Sequence, residues 1–69
     1  MPFKKFLTLR EREVFDLLVK NYDTEEIATK LKISSKTVRN HISNVMQKLG
    51  VKGRAQAVVE LLRMNIISL

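Results

Sequence analysis

The sequence predicts an all-α, four-helix domain built round a helix-turn-helix, and three observations lead there. Ile33 to Gly50 carries one long helical period between a serine cap and a glycine stop. A shorter helical pattern, from Thr24 or Glu25 to about Lys32, precedes it across a turn of a few residues. Further apolar stripes of helical spacing lie before and after this pair, at about Leu9 to Lys20 and about Arg54 to Met64.

The chain has 69 residues, of which 45% are apolar, so it is expected to be one ordered domain. A domain of this size buries only about 60% of the surface its unfolded chain exposes. Without cysteine it has neither disulfides nor a thiolate zinc site to staple it. A second copy of the chain is therefore a natural further source of buried area. The net charge of +6 favours anionic partners: nucleic acid first, an anionic membrane surface second. It also serves solubility. No apolar run approaches the ~18 residues of a membrane span and no signal-peptide core is present, which places the chain in the cytoplasm. Repeats and low-complexity segments are absent, and glycine and proline are too few for a linker.

Residues 1–7, MPFKKFL, read as a short N-terminal arm whose Lys4 and Lys5 are solvated or touch a phosphate, with Phe6 or Leu7 folding back on the core. The first helix opens on a capping box, Thr8 with Glu11 three residues on. Val14, Phe15, Leu18 and Val19 form its apolar side, and Arg10, Arg12, Glu13 and Asp16 a mixed-charge outer face. Asn21, Tyr22 and Asp23 make the first turn. The second helix takes Thr24 as its N-cap, with Asp23 and its partner Glu26 as the alternative; Ile27, Ala28 and Leu31 face inward. Lys32, Ile33 and Ser34 then turn the chain into the long helix. That turn lacks the glycine often found there.

At 100° per residue the long helix has three faces. Val38, Ile42, Val45, Met46 and Leu49 form a buried stripe. Lys36, Arg39, Asn40, Ser43 and Gln47 lie opposite, and Thr37, His41, Asn44 and Lys48 line a flank. No acidic residue occurs from Ser34 to Gly50. A merely solvated face mixes both signs of charge, whereas an acid-free face of Lys, Arg, Asn, Ser and Gln suits a polyanion with hydrogen-bonding edges, such as a DNA groove. Ser34 caps the start and Gly50 supplies the left-handed residue that stops the helix. About 15 residues lie between, roughly 22 Å of rod.

A basic loop, Val51-Lys52-Gly53-Arg54, leads to the fourth helix, whose apolar arc is unusually wide. Ala57, Val58, Leu61 and Met64 form one stripe, which seals the core. Ala55, Val59, Leu62 and Ile66 form a second, which reads as a dimer surface that the tail NIISL could extend. The alternative buries both stripes beneath the N-terminal arm.

Side-chain chemistry then distributes roles. Arg39 and Asn40 are the base readers of choice, since arginine pairs bidentately with guanine and asparagine with adenine. Lys36, Thr37, His41, Asn44 and Lys48 are backbone-phosphate candidates, which set register without reading sequence. Thr24 adds a hydroxyl at the start of the second helix, and Lys52 and Arg54 flank the end of the long helix. His41 is the only histidine and has no companion ligands at metal-binding spacing, nor is there a nucleophile beside it. No enzyme activity, metal or cofactor is expected.

These residues together resemble the helix-turn-helix domain of the LuxR-type transcription regulators. The likeness runs from Leu7 to about Met64. It rests on Leu7-Thr8 with Arg10 to Val14, on Glu26-Ile27-Ala28 with Leu31, and on Ser34, Thr37-Val38, His41, Lys48 to Val51, and Arg54. Within the family the chain looks most like the small regulators of spore-coat genes, without room for a receiver or ligand-sensing domain. The resemblance implies a DNA-binding homodimer that activates or represses late in sporulation, in the mother cell, with RNA polymerase as partner at activated promoters. Family docking implies that Arg39 and Asn40 lie over base edges in the major groove, with Ser43 one turn on. Leu9 stands where the family often has proline, and Asn21-Tyr22 where it often has glycine; both departures concern caps and turns. Two other readings stay open: a protein-interaction module that keeps the fold without specific DNA binding, and a basic amphipathic binder of membranes.

Overall fold

The computed structural model describes residues 7–69; Lys4, Lys5 and Phe6 of the expected arm lie outside the described residues. The described chain forms α1 (Leu9–Leu18), α2 (Thr24–Leu31), α3 (Ser35–Leu49) and α4 (Arg54–Arg63). The long helix is the hub: α1, α2 and α4 all pack against α3, and α1 also meets α2. The core between them holds Val14 and Phe15 of α1, Ile27 and Ala28 of α2, Val38, Ile42 and Val45 of α3, and Ala57 and Leu61 of α4. Leu7 is buried with them, so it belongs to the core and not to a free arm.

Helix starts follow local chemistry. Thr8 and Glu11 form the expected capping box, with the Thr8 hydroxyl accepting from the Glu11 amide at 3.1 Å and the Thr8 amide donating to the Glu11 carboxylate at 3.0 Å. At α2 the cap is Asp23, not Thr24: its carboxylate accepts from the Glu26 amide at 2.8 Å while the Asp23 amide donates to Glu26 at 2.9 Å. The reciprocal pair satisfies two orphan donors where a lone threonine would satisfy one, so the Asp-x-x-Glu alternative prevails. Thr24 becomes the first residue of the helix.

The helix ends share one device that the sequence showed plainly only once. Each of the four ends in a left-handed residue followed by an apolar one: Asn21-Tyr22, Lys32-Ile33, Gly50-Val51 and Asn65-Ile66, with φ of 72°, 59°, 70° and 59° at the first of each pair. In each pair both amides bond back to the last turn, as in Gly50 to the Gln47 carbonyl at 3.2 Å and Val51 to the Met46 carbonyl at 3.1 Å. This is the Schellman motif, closed by an apolar contact from its second residue. Asparagine adopts the left-handed region readily; lysine does so at a cost of about 1 kcal/mol or more. Lys32 therefore does the work of the missing glycine between α2 and α3. The regular part of α1 stops at Leu18, short of the expected Lys20, and α4 stops at Arg63, short of Met64.

The last of these turns corrects the expected dimer surface. Asn65 reverses the chain, and Ile66 and Ile67 are buried in the domain's own core. Ile66 is therefore not on the outer stripe, and the tail does not prolong it.

Candidate nucleic-acid interface

The buried stripe of α3 leaves its other side open. Lys36, Arg39, Asn40, Ser43, Asn44 and Gln47 are exposed, while Val38, Ile42 and Val45 are buried. Among the described residues, the side chains of Arg39, Asn40 and Ser43 have no hydrogen-bond or ion-pair partner. The Ser34 cap holds the first turn: its hydroxyl accepts the Thr37 amide at 3.1 Å and meets the Thr37 hydroxyl at 2.9 Å. Thr37 is thus half-buried and already engaged at the helix start.

The flank of α3 faces differently from the sequence expectation. Lys48, expected to grip a phosphate, donates to the Glu11 carboxylate of α1 at 2.6 Å. Its ammonium is thus engaged by the protein, with a third of the side chain still exposed. His41 lies on the same strip, is half-buried, and stands near enough to Glu11 for its charge to favour the carboxylate. Glu11 is 3% exposed and is the residue that reading the sequence missed. The signal was present: Glu11 lies on the apolar stripe of α1, in line with Val14, Phe15 and Leu18, where a carboxylate needs a partner.

Burial raises the Glu11 pKa, but the Lys48 hydrogen bond, the Thr8 amide and the charges of Lys48 and His41 together outweigh it, so the carboxyl sits below its ordinary value. A group whose pKa is depressed by folding stabilises the fold above its unfolded pKa and loses that contribution as pH falls through the folded one. Wild-type protein is therefore expected to lose melting temperature between neutral pH and the region below about pH 4 more steeply than Glu11→Gln. Parallel pH profiles for the two proteins in thermal unfolding would contradict the assignment.

A second basic cluster forms where α4 begins. Arg54 and Lys52 are exposed, and the Arg54 guanidinium donates to the Thr24 hydroxyl at 3.3 Å. This brings together two phosphate candidates 30 residues apart, at the adjoining starts of α2 and α4. The Lys52 amide donates to Gln56 at 3.2 Å, which closes the loop and leaves the Lys52 ammonium outside. On the far side of α4, Ala55 and Val59 are exposed and Leu62 is half-buried; Val51, Ala55, Gln56, Val59 and Glu60 line a shallow groove of about 380 Å³. No helix of the described residues is long and apolar enough to cross a membrane.

Residues 5–61 match the family model of the bacterial regulatory proteins, luxR family. The chain belongs to that family. It is accordingly a DNA-binding transcription regulator with a helix-turn-helix domain, and not an enzyme. Among relatives, it is 71% identical over 66 residues to the spore germination protein GerE of Bacillus subtilis (strain 168), covering 96% of this chain and 89% of that protein. It is 52% identical over 54 residues to the transcriptional regulatory protein DegU of Brevibacillus brevis, covering 78% of this chain but 23% of DegU. To the response regulator protein VraR of Staphylococcus aureus (strain Mu3 / ATCC 700698) it is 43% identical over 63 residues, covering 91% of this chain and 30% of VraR. A solved structure of the transcription factor GerE superposes with a TM-score of 0.89 at 63% identity, covering 91% of this chain and 94% of that one. The luxR-family domain thus spans nearly all of GerE and less than a third of the two longer regulators.

Proposed function

We propose that this luxR-family domain reads DNA as a homodimer, each copy laying α3 in a major groove. Arg39, Asn40 and Ser43 read base edges; Thr24, Lys36, Thr37, Asn44, Lys52 and Arg54 hold the phosphates, with His41 at the protein-facing edge of the set. The observation that carries this is the exposed, acid-free face of α3 with its base-reading side chains unengaged. Two copies joined through Ala55, Val59 and Leu62 of α4 would present two such helices related by a two-fold axis. That symmetry calls for a pseudo-palindromic site with half-sites about one helical turn apart. The likeness to a spore germination protein supports sporulation and spore-coat genes as targets, activation or repression with RNA polymerase as the partner at activated promoters, and the mother-cell cytoplasm as the place.

Footprinting of purified protein on genomic fragments from a sporulating bacterium tests the reading. Protection of two half-sites centred ~10 base pairs apart, with binding that weakens as salt rises, is expected. Uniform weak binding without protected sites would reject sequence-specific control and favour the interaction-module reading.

A further inference from the structure

We propose that Glu11 is a positioning residue for DNA reading: through Lys48 it sets the roll of α3, and with it the direction in which Arg39 and Asn40 point. The inference rests on the DNA-reading role of α3 proposed above.

The argument begins with what apolar packing leaves open. Val38, Ile42 and Val45 hold α3 in the core, but the hydrophobic attraction itself is non-directional. An ion pair is directional, and here one partner is buried: the Glu11 side chain is 5% exposed and that of Lys48 33%. Desolvating the carboxylate offsets much of the attraction, so the pair is a poor route to stability. Its contribution in this proposal is to fix register, the best-attested use of such pairs. Here the carboxylate is itself immobilised. Its Oε1 accepts from the Thr8 amide at 3.0 Å as well as from the Lys48 ammonium at 2.6 Å, so the anchor is tied to the backbone of α1.

The azimuths fit this use. Lys48 is nine residues beyond Arg39, which at 100° per residue is half a turn more than two full turns. Lys48 tethered to α1 therefore places Arg39 on the opposite side of α3 from that tether, about a quarter turn from the buried stripe of Val38, Ile42 and Val45. His41, seven residues before Lys48, shares its strip and faces the same carboxylate. Lys48 and His41 on α3 are the groups that favour the Glu11 carboxylate from the facing helix. The separation along the axis is roughly 13 Å, so a small roll or tilt released at Lys48 displaces the base-reading tips of Arg39 and Asn40.

Four variants test this: Glu11→Gln, which keeps an N3 acceptor for the capping box; Lys48→Met; the double variant; and Lys48→Arg, which can restore the pair. Two probes are used, a duplex that wild-type protein selects from a randomised library and a scrambled duplex of equal length. Binding is measured over a salt series at a temperature where circular dichroism shows each protein folded. Glu11→Gln and Lys48→Met are each expected to lower the ratio of specific to non-specific affinity about tenfold, the double variant no further, and Lys48→Arg to hold it near wild type, all with an unchanged salt slope. Should Glu11→Gln fail to fold, the two Lys48 variants still decide. A ratio retained by Lys48→Met overturns the inference. So does an equal loss on both probes with a salt slope lower by about one, which would make Lys48 a phosphate contact. A wild-type protein that selects no sequence would overturn the DNA-reading proposal as well, which separates the two failures.

Discussion

Arg39→Ala is expected to flatten sequence preference at one base pair per half-site while leaving the fold intact. A bidentate arginine–guanine pair discriminates by about 1–3 kcal/mol, so each half-site should lose roughly 5- to 150-fold between the preferred base and its alternatives. Arg39 is exposed and makes no hydrogen bond or ion pair with the described residues, so its loss leaves no core group unpaired. The informative control is Arg54→Ala. Arg54 touches the Thr24 hydroxyl at the surface, and its loss should weaken all duplexes about equally and lower the salt slope by roughly one. Lys48, which the sequence alone would suggest as that control, is unsuitable because its ammonium is bound to Glu11. Competition assays with single-base variants of a selected site make the measurement. If Arg39→Ala lost affinity uniformly, as Arg54→Ala should, direct readout by Arg39 would be excluded.

Val59→Asp is expected to give a monomer. Val59 is a large apolar side chain of α4 and is 51% exposed, and it lines the groove with Val51, Ala55, Gln56 and Glu60. An aspartate there is harmless to a lone domain, since its carboxylate stays in water, but it would be buried without a partner in a symmetric pairing and would meet its own copy across the axis. Leu62 is the less informative site, because it is half-buried against the domain's own core and its substitution would disturb the fold directly. Sedimentation should show the mass halved with an unchanged circular dichroism spectrum. Affinity for a two-half-site duplex should fall by about 10²–10⁴, the advantage that linking two sites confers, while affinity for a single half-site changes little. A dimer mass retained by Val59→Asp would move the interface away from this face of α4.

Much of this protein was legible in the order of its residues. The period of Val38, Ile42, Val45 and Leu49 places α3, and Ser34 and Gly50 bound it where the structure does. Thr8 with Glu11 starts α1 as expected. These features are local: caps and stripes depend on residues within a turn or two, and neighbouring backbone groups must be satisfied whatever the rest of the chain does. The turns at Asn21 and Lys32 were expected, but their left-handed form, and the reversal at Asn65, were harder to see. Asn21, Lys32 and Asn65 are polar residues without a glycine's clear signature, and only the apolar residue after each, Tyr22, Ile33 and Ile66, hinted that the chain would dip back.

What the sequence by itself determined, then, is the four helices and the acid-free face that one of them turns outward, because helical period and capping are short-range and charge sign is a property of composition. What only the tertiary structure decided is which flank of α3 belongs to the protein. Lys48 and Glu11 are 37 residues apart, and no rule of spacing connects them. They meet because a buried carboxylate on α1 must find a cation wherever the packing brings one, and that need ties Lys48 to α1. In the same way helical spacing puts Ile66 on the outer stripe of α4, but Asn65 reverses the chain and the core takes it in. Partners of this kind are chosen by which surfaces close on one another, a global outcome that no local pattern carries.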